Sequence, residues 1–230
     1  MGPHILNFVM ISWFSKSSKQ SVLGKDVIYS NNKLLTTSSI VLVTVIALFF
    51  LDSHIIAFTS KHVPAGIKDF SLIMRDFGLY PFYILFAFIL TYALLKSDRK
   101  LLDLSVAYIK AQIIFSLILV RLLKMLFGRA RPQYGGEFTF LSFDYLGVNG
   151  LDSFPSGHAA DAFTNGLFLF FLLKHSEYAR YRFLPLIYAS LIAISRLTAG
   201  HHYPSDIVAG TAIGIGGASF FLSRLPKKSE

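Results

Sequence analysis

LSVAYIKAQIIFSLILVRLLKMLF, residues 104–127, is long and apolar enough to cross a bilayer as a helix, and it runs straight into a knot of charge, GRARP, at residues 128–132. About 20 apolar residues span the hydrocarbon, because in lipid only internal pairing satisfies every backbone N–H and C=O. Working outward from this run, further segments of the same kind lie at Leu34–Phe58, Phe77–Leu95, His158–Leu173, Phe183–Ala199 and Ile207–Leu222. The segments at His158–Leu173 and Phe183–Ala199 are short, so they are expected to be thin spans or helices shielded by neighbours. Composition agrees: 53% of the residues are hydrophobic and the mean hydropathy is +0.55, far from the soluble norm. The expectation is an all-α, polytopic integral membrane protein, a bundle of six transmembrane helices.

The first fifteen or so residues, MGPHILNFVMISWFS, are apolar but too short to span and have no basic region ahead of them. They read as an interfacial segment rather than a cleaved signal. The domain plan is therefore an interfacial leader over 1–30, a six-span domain over 31–224 and a basic tail over 225–230. No internal repeat is evident. The chain has no cysteine, which excludes disulfides, thiolate metal sites and cysteine nucleophiles.

Net charge is +9, yet the basic residues do not form a nucleic-acid surface. They gather at Lys16–Lys33, Lys96–Lys100, Lys174–Arg182 and Arg224–Lys228, all on one side of the span map. That side is expected to be cytoplasmic, with both termini on it. No nucleic acid and no obligate protein partner is indicated. A multi-pass protein of a cell membrane, on balance a bacterial inner membrane, is expected.

With the termini inside, three polar clusters fall at the outer ends of the spans. In KMLFGRARP (124–132), Lys124 and Arg131 are seven residues apart, nearly one face of a continuous helix, although Pro132 biases Arg131 away from helical geometry. In FPSGHAAD (154–161), Ser156 is a good N-cap and Gly157 allows close backbone approach, so the helix start offers free N–H groups to an anion. His158 sits in that first turn, and Asp161 is read as complementing the helix dipole. In SRLTAGHHYPSD (195–206), Pro204 suits the first helical position. Asp206 can then reach back to His202 and orient its ring, leaving the other nitrogen free to attack. His201 has no such partner. Arg121, one turn before Lys124, is a possible headgroup contact, and Arg129 reads as an interfacial anchor. The aromatic-rich segment from 133 to 154 is a candidate lid or substrate entry.

Together these blocks resemble the three-part signature of the type 2 phosphatidic-acid phosphatase (PAP2) superfamily: K-x6-RP at Lys124 to Arg131–Pro132, PSGH at 155–158, and SR-x5-H-x3-D at Ser195–Arg196, His202 and Asp206. The resemblance covers about residues 30–224 and implies metal-independent hydrolysis through a phosphohistidine, with no cofactor. It implies His202 as nucleophile, Asp206 as its orienting partner and His158 as general acid and then base. Lys124, Arg131, Ser156, Gly157 and Arg196 would hold the phosphate oxygens. Such a cationic cradle does the electrostatic work of a metal in phosphoryl transfer.

The substrate expected is a membrane lipid phosphate: phosphatidylglycerol phosphate, phosphatidic acid, polyprenyl diphosphate or a lipid A phosphate. The competing readings are a lipid phosphotransferase using the same intermediate and a non-catalytic lipid-binding or transport protein. Retention of His158, His202 and Asp206 argues against the last.

Overall fold

Each of the six apolar segments forms a helix in the computed structural model, which describes residues 25–135, 150–174 and 176–226, with the side chains of the first helix from Thr36 onward. The helices are α1 (Lys25–His62), α2 (Ala65–Phe77), α3 (Tyr80–Leu95), α4 (Arg99–Phe127), α5 (Gly157–Lys174), α6 (Leu184–Thr198) and α7 (Pro204–Leu222). No strand occurs among the described residues. The central part of α4, Gln112–Leu119, is wound as a π-helix.

Four units are long and apolar enough to cross a membrane: Thr36–His62, Ala65–Leu95, Arg99–Phe127 and Pro204–Leu222. Their outward faces are apolar, as lipid requires; Phe50 on α1 is 78% exposed. Of the shorter helices, α5 lies inside this shell, whereas α6 also turns an apolar face outward, with Ile187 55% and Ile194 54% exposed. α5 packs chiefly on α6 and α7, with Ala159, Ala160, Thr164, Asn165 and Phe168 wholly buried.

Residues 65–76, expected as part of a loop, are helical together with Phe77. Lys68, Asp69, Arg75 and Asp76 lower the local hydropathy, but the apolar residues among them recur at helical spacing. α2 is fastened to α6 by a hydrogen bond between the Ser71 and Thr198 hydroxyls at 2.6 Å. The Tyr188 hydroxyl also donates to the Gly78 carbonyl at 2.8 Å.

Glycine sets the α5–α7 approach. A Cβ on Gly210 would lie 2.2 Å from the Ser156 carbonyl oxygen, and one on Gly214 would lie 2.3 Å from that of Ala160. Small residues four apart let two helices touch backbone to backbone. The starts of α5 and α7 are thereby drawn together, and the Ser156 amide donates to the Asp206 carbonyl at 3.0 Å.

Helix α1 already occupies residues 25–30, which the sequence assigned to the leader. The rest of the proposed leader, most of the proposed lid (136–149) and the last residues of the tail lie outside the described residues.

Candidate active site

The chain between α4 and α5 builds one wall. Helix α4 ends at Phe127, where Gly128 takes a left-handed conformation (φ 48°, ψ 43°) and returns its N–H to the Lys124 carbonyl. Lys124 and Arg131 therefore do not share one continuous helix, in line with the bias of Pro132 on the residue before it. A glycine supplies the turn, and Arg131 is extended ahead of Pro132.

Residues 129–131 then pair with 150–153: the Arg131 amide donates to the Gly150 carbonyl at 2.8 Å, and the Ser153 amide donates to the Arg129 carbonyl at 2.9 Å. This backbone pairing brings Asp152 to both cations. Arg131 grips its carboxylate side-on through Nε and Nη2, each at 2.8 Å. Lys124 Nζ donates to the Asp152 carbonyl at 2.7 Å and lies 3.6 Å from the carboxylate. Burial would raise the Asp152 carboxyl, but the Arg131 fork and Lys124 outweigh it and hold it at about 2.

The second wall is the start of α7. His202 is buried, and its Nδ1 faces Asp206 Oδ2 at 3.5 Å, longer than a formed hydrogen bond. Asp206 is otherwise fully engaged. Its Oδ2 accepts from the Ser153 hydroxyl at 2.6 Å and the Tyr203 amide at 2.8 Å; its Oδ1 accepts from Arg129 Nη1 at 2.7 Å. Burial pushes the His202 imidazole down to about 4, against the pull of Asp206 and with nearby Lys124 and Arg196 adding to the fall. The ring is therefore neutral at physiological pH, the form in which one nitrogen keeps a free lone pair.

Arg129 is not an interfacial anchor. It is 4% exposed, lies over the rings of Tyr203 and Phe49 with its guanidinium carbon 4.0 and 4.7 Å from their centroids, and donates to Asp52, Ser205 and Asp206. Asp52, from the middle of α1, also accepts from the Ser205 amide and hydroxyl. The two carboxylates share one guanidinium inside the bundle, the arrangement that makes a buried charge tolerable.

Arg196 and Ser156 contrast with this network. Arg196 is 3% exposed, yet its Nε and Nη1 meet no acceptor, and neither does the buried Ser156 Oγ. Ser156 sits where an N-cap residue would, with its carbonyl accepting from Ala160, but its hydroxyl does not cap α5. A Cβ on the adjacent Gly157 would meet only Val120 Cγ1 at 3.7 Å, so no protein neighbour requires glycine there. His158 Nε2 lies 3.1 Å from the Arg75 carbonyl. A carbonyl only accepts, so this nitrogen carries the proton.

The pattern is one of buried, convergent donors beside an oriented imidazole, and it can hold an anion and attack it. A family model for the PAP2 superfamily matches residues 100–230. The chain belongs to the PAP2 superfamily. Lipid A 1-phosphatase from Rhizobium etli is 35% identical over 163 residues, 66% of this chain and 68% of that one. Among solved structures, LpxE of Aquifex aeolicus superposes with a TM-score of 0.55 at 27% identity, covering 75% of this chain and 95% of that one. The first transmembrane PAP2-type phosphatidylglycerolphosphate phosphatase from Bacillus subtilis gives 0.57 at 17% identity, covering 82% and 94%, a likeness of fold alone. This PAP2 protein is accordingly a multi-pass, all-helical membrane lipid phosphatase.

The structure brings Lys124, Arg131, Ser156, Gly157, His158, Arg196, His202 and Asp206 to one end of the bundle. Arg121 is exposed on α4, one turn before Lys124, and Asp161 accepts from the Tyr83 hydroxyl at 3.0 Å. Sequence reasoning missed Asp52, Arg75, Asp152 and Ser153. Asp52 and Arg75 precede the region matched by the PAP2 family model. Asp52 carried a usable signal, since a carboxylate inside a predicted span asks for a partner.

Proposed function

We propose that the protein removes the phosphate of lipid A 1-phosphate, or of a closely similar glycolipid phosphate, through a phosphohistidine on His202 and without a metal. The observation that carries the reading is the set of buried donors on Arg196 and Ser156 that meet no protein acceptor, in the same cluster as a buried, neutral His202. Unpaired buried donors are costly unless a ligand satisfies them, and three equatorial phosphoryl oxygens supply the acceptors. The identity to lipid A 1-phosphatase supports this choice of lipid over the others considered.

In this mechanism His202 Nε2 attacks phosphorus while Asp206 orients Nδ1 and offsets the positive charge that develops on the ring. Lys124, Arg131, Arg196, Ser156 and the Gly157 N–H hold the oxygens. His158 acts as an imidazolium, with its Nε2–H given to the Arg75 carbonyl: its Nδ1–H protonates the departing sugar oxygen, and the emptied Nδ1 then takes a proton from the water that attacks the phosphohistidine. Free phosphate leaves, His202 returns to the neutral imidazole and His158 to the imidazolium. Asp152 grips the side of Arg131 and so turns the end of that guanidinium towards the phosphate. Arg121 meets headgroups at the surface. The basic loops set both termini in the cytoplasm and the site at the opposite face, where the substrate enters with its acyl chains still in the membrane.

Phosphate release from purified lipid A 1-phosphate, phosphatidylglycerol phosphate, phosphatidic acid and polyprenyl diphosphate tests the reading, with the His202→Ala protein as control. Lipid A 1-phosphate should be the best substrate, EDTA should leave its hydrolysis unchanged, and the control should be inactive. Strict metal dependence, or a control as active as the unaltered protein, would refute the mechanism.

A further inference from the structure

His201, the neighbour of the proposed nucleophile, stands between two guanidinium groups. Arg131 Nη1 lies 3.0 Å from its Nδ1, and Arg75 Nη1 lies 3.3 Å from its Nε2. A neutral imidazole has one accepting nitrogen and one N–H. Both arginines are donors, so one of the two contacts sets donor against donor. Protonating the ring would make both contacts so. Burial, with Arg196, Arg131 and Arg75 nearby, keeps His201 neutral down to about 4. The cluster therefore has more donors than acceptors.

Arg75 also pairs side-on with Asp76, Nε to Oδ1 at 2.6 Å and Nη2 to Oδ2 at 2.7 Å. The Asp76 side chain remains 47% exposed and that of Arg75 31%, so both reach the rim. The rim thus offers surplus N–H donors on His201 and Arg75 next to a carboxylate with lone pairs to spare. A hydroxyl group, donor and acceptor at once, satisfies both kinds of partner. A second phosphate would meet the Asp76 carboxylate and be repelled.

We propose that Arg75, Asp76 and His201 form a sugar-binding subsite beside the phosphate cradle, which takes hydroxyl oxygens of the glycosyl headgroup of a glycolipid phosphate. It rests on the phosphatase reading above and specifies what lies next to the scissile phosphate. Arg131 links the two sites, because it touches His201 while its side is held by Asp152. Arg75 links them a second time: its side chain reaches the rim while its carbonyl holds His158 at 3.1 Å. The Ser71–Thr198 and Tyr188–Gly78 hydrogen bonds fasten this part of α2 to α6, so the subsite is preformed.

The test compares kcat/KM for lipid A 1-phosphate with that for phosphatidic acid, which carries a phosphate monoester but no sugar, using detergent-purified protein. Arg75→Met and His201→Gln should each lower the ratio of the two by about tenfold, the scale of a lost hydrogen bond to a charged group, with most of the change in KM. Should Arg75→Met fail to fold, Asp76→Asn, which keeps the arginine, should lower the ratio in the same direction. Where only one lipid is turned over, the inhibition constant of the other replaces its kcat/KM. An unchanged ratio, with equal losses on both lipids or none, overturns the sugar subsite while leaving the phosphatase reading intact. No phosphate release by the unaltered protein from either lipid overturns both.

Discussion

On the Nδ1 side of His202, the Asp206 carboxylate accepts from Arg129, Ser153 and the Tyr203 amide, and Arg129 is shared in turn with Asp52. In the same cluster, Arg196 and Ser156 keep buried donors that meet no acceptor. Both regions place charge or polarity out of water, and both therefore carry a desolvation cost. One offsets it with protein partners, and the other leaves it to be offset by what binds. Under the proposed mechanism the difference separates a scaffold, which must hold Asp206 still, from a cradle, which must stay open to phosphate oxygens. Preorganised donors of the second kind act on charge that develops during reaction.

Substitution should expose this difference. The largest effect is expected at Arg129→Met, which leaves Asp52 and Asp206 buried without their shared cation and should cost about 3–5 kcal/mol of stability, read as a fall in melting temperature in detergent. Arg196→Met should do the opposite to stability, because it removes a buried cation whose Nε and Nη1 have no partner; the melting temperature should hold or rise. Its kcat/KM should nevertheless fall by about 10²–10³, the range for loss of one oxyanion donor. Equal destabilisation by the two substitutions would erase the distinction between scaffold and cradle.

The smallest effect concerns pH. The His202 pKa is lowered from 6.5 to about 4 in the folded protein, so between those values the unfolded state binds the extra proton and the folded state does not. Stability therefore rises with pH across that window, and this contribution is lost as pH falls from 6.5 towards 4. Melting temperatures at pH 7 and pH 5 should differ less for His202→Gln than for the unaltered protein. An identical difference in the two proteins would mean that His202 is not held neutral by the fold.

Much of this was legible in the residues. Apolar runs located every helix but α2, whose Lys68, Asp69, Arg75 and Asp76 mask a helical repeat from any hydropathy reading. His202 with Asp206 was readable because both lie within one turn of a helix start marked by Pro204, and because local spacing fixes local geometry. Arg129 was misread for the complementary reason. Its partners Asp52 and Asp206 are each 77 residues away, and nothing local tells a cation that faces headgroups from one that turns into the bundle. Asp152 was hidden in the same way: it meets Arg131 only because backbone pairing closes the chain across residues 129–153. The close approach of α5 and α7 was present in the sequence as Gly210 and Gly214, but only the facing carbonyls of Ser156 and Ala160 give that spacing its meaning.

The proposed mechanism requires a covalent bond between His202 and phosphorus, and the most direct measurement is rapid quenching of the protein during turnover of lipid A carrying ³²P at its 1-phosphate. An acid-labile, alkali-stable label on His202, formed and lost at rates compatible with kcat and absent from His202→Ala, is the expected result. Turnover with label on another residue, or with none at any time under conditions where hydrolysis of the intermediate is slowed, would contradict it.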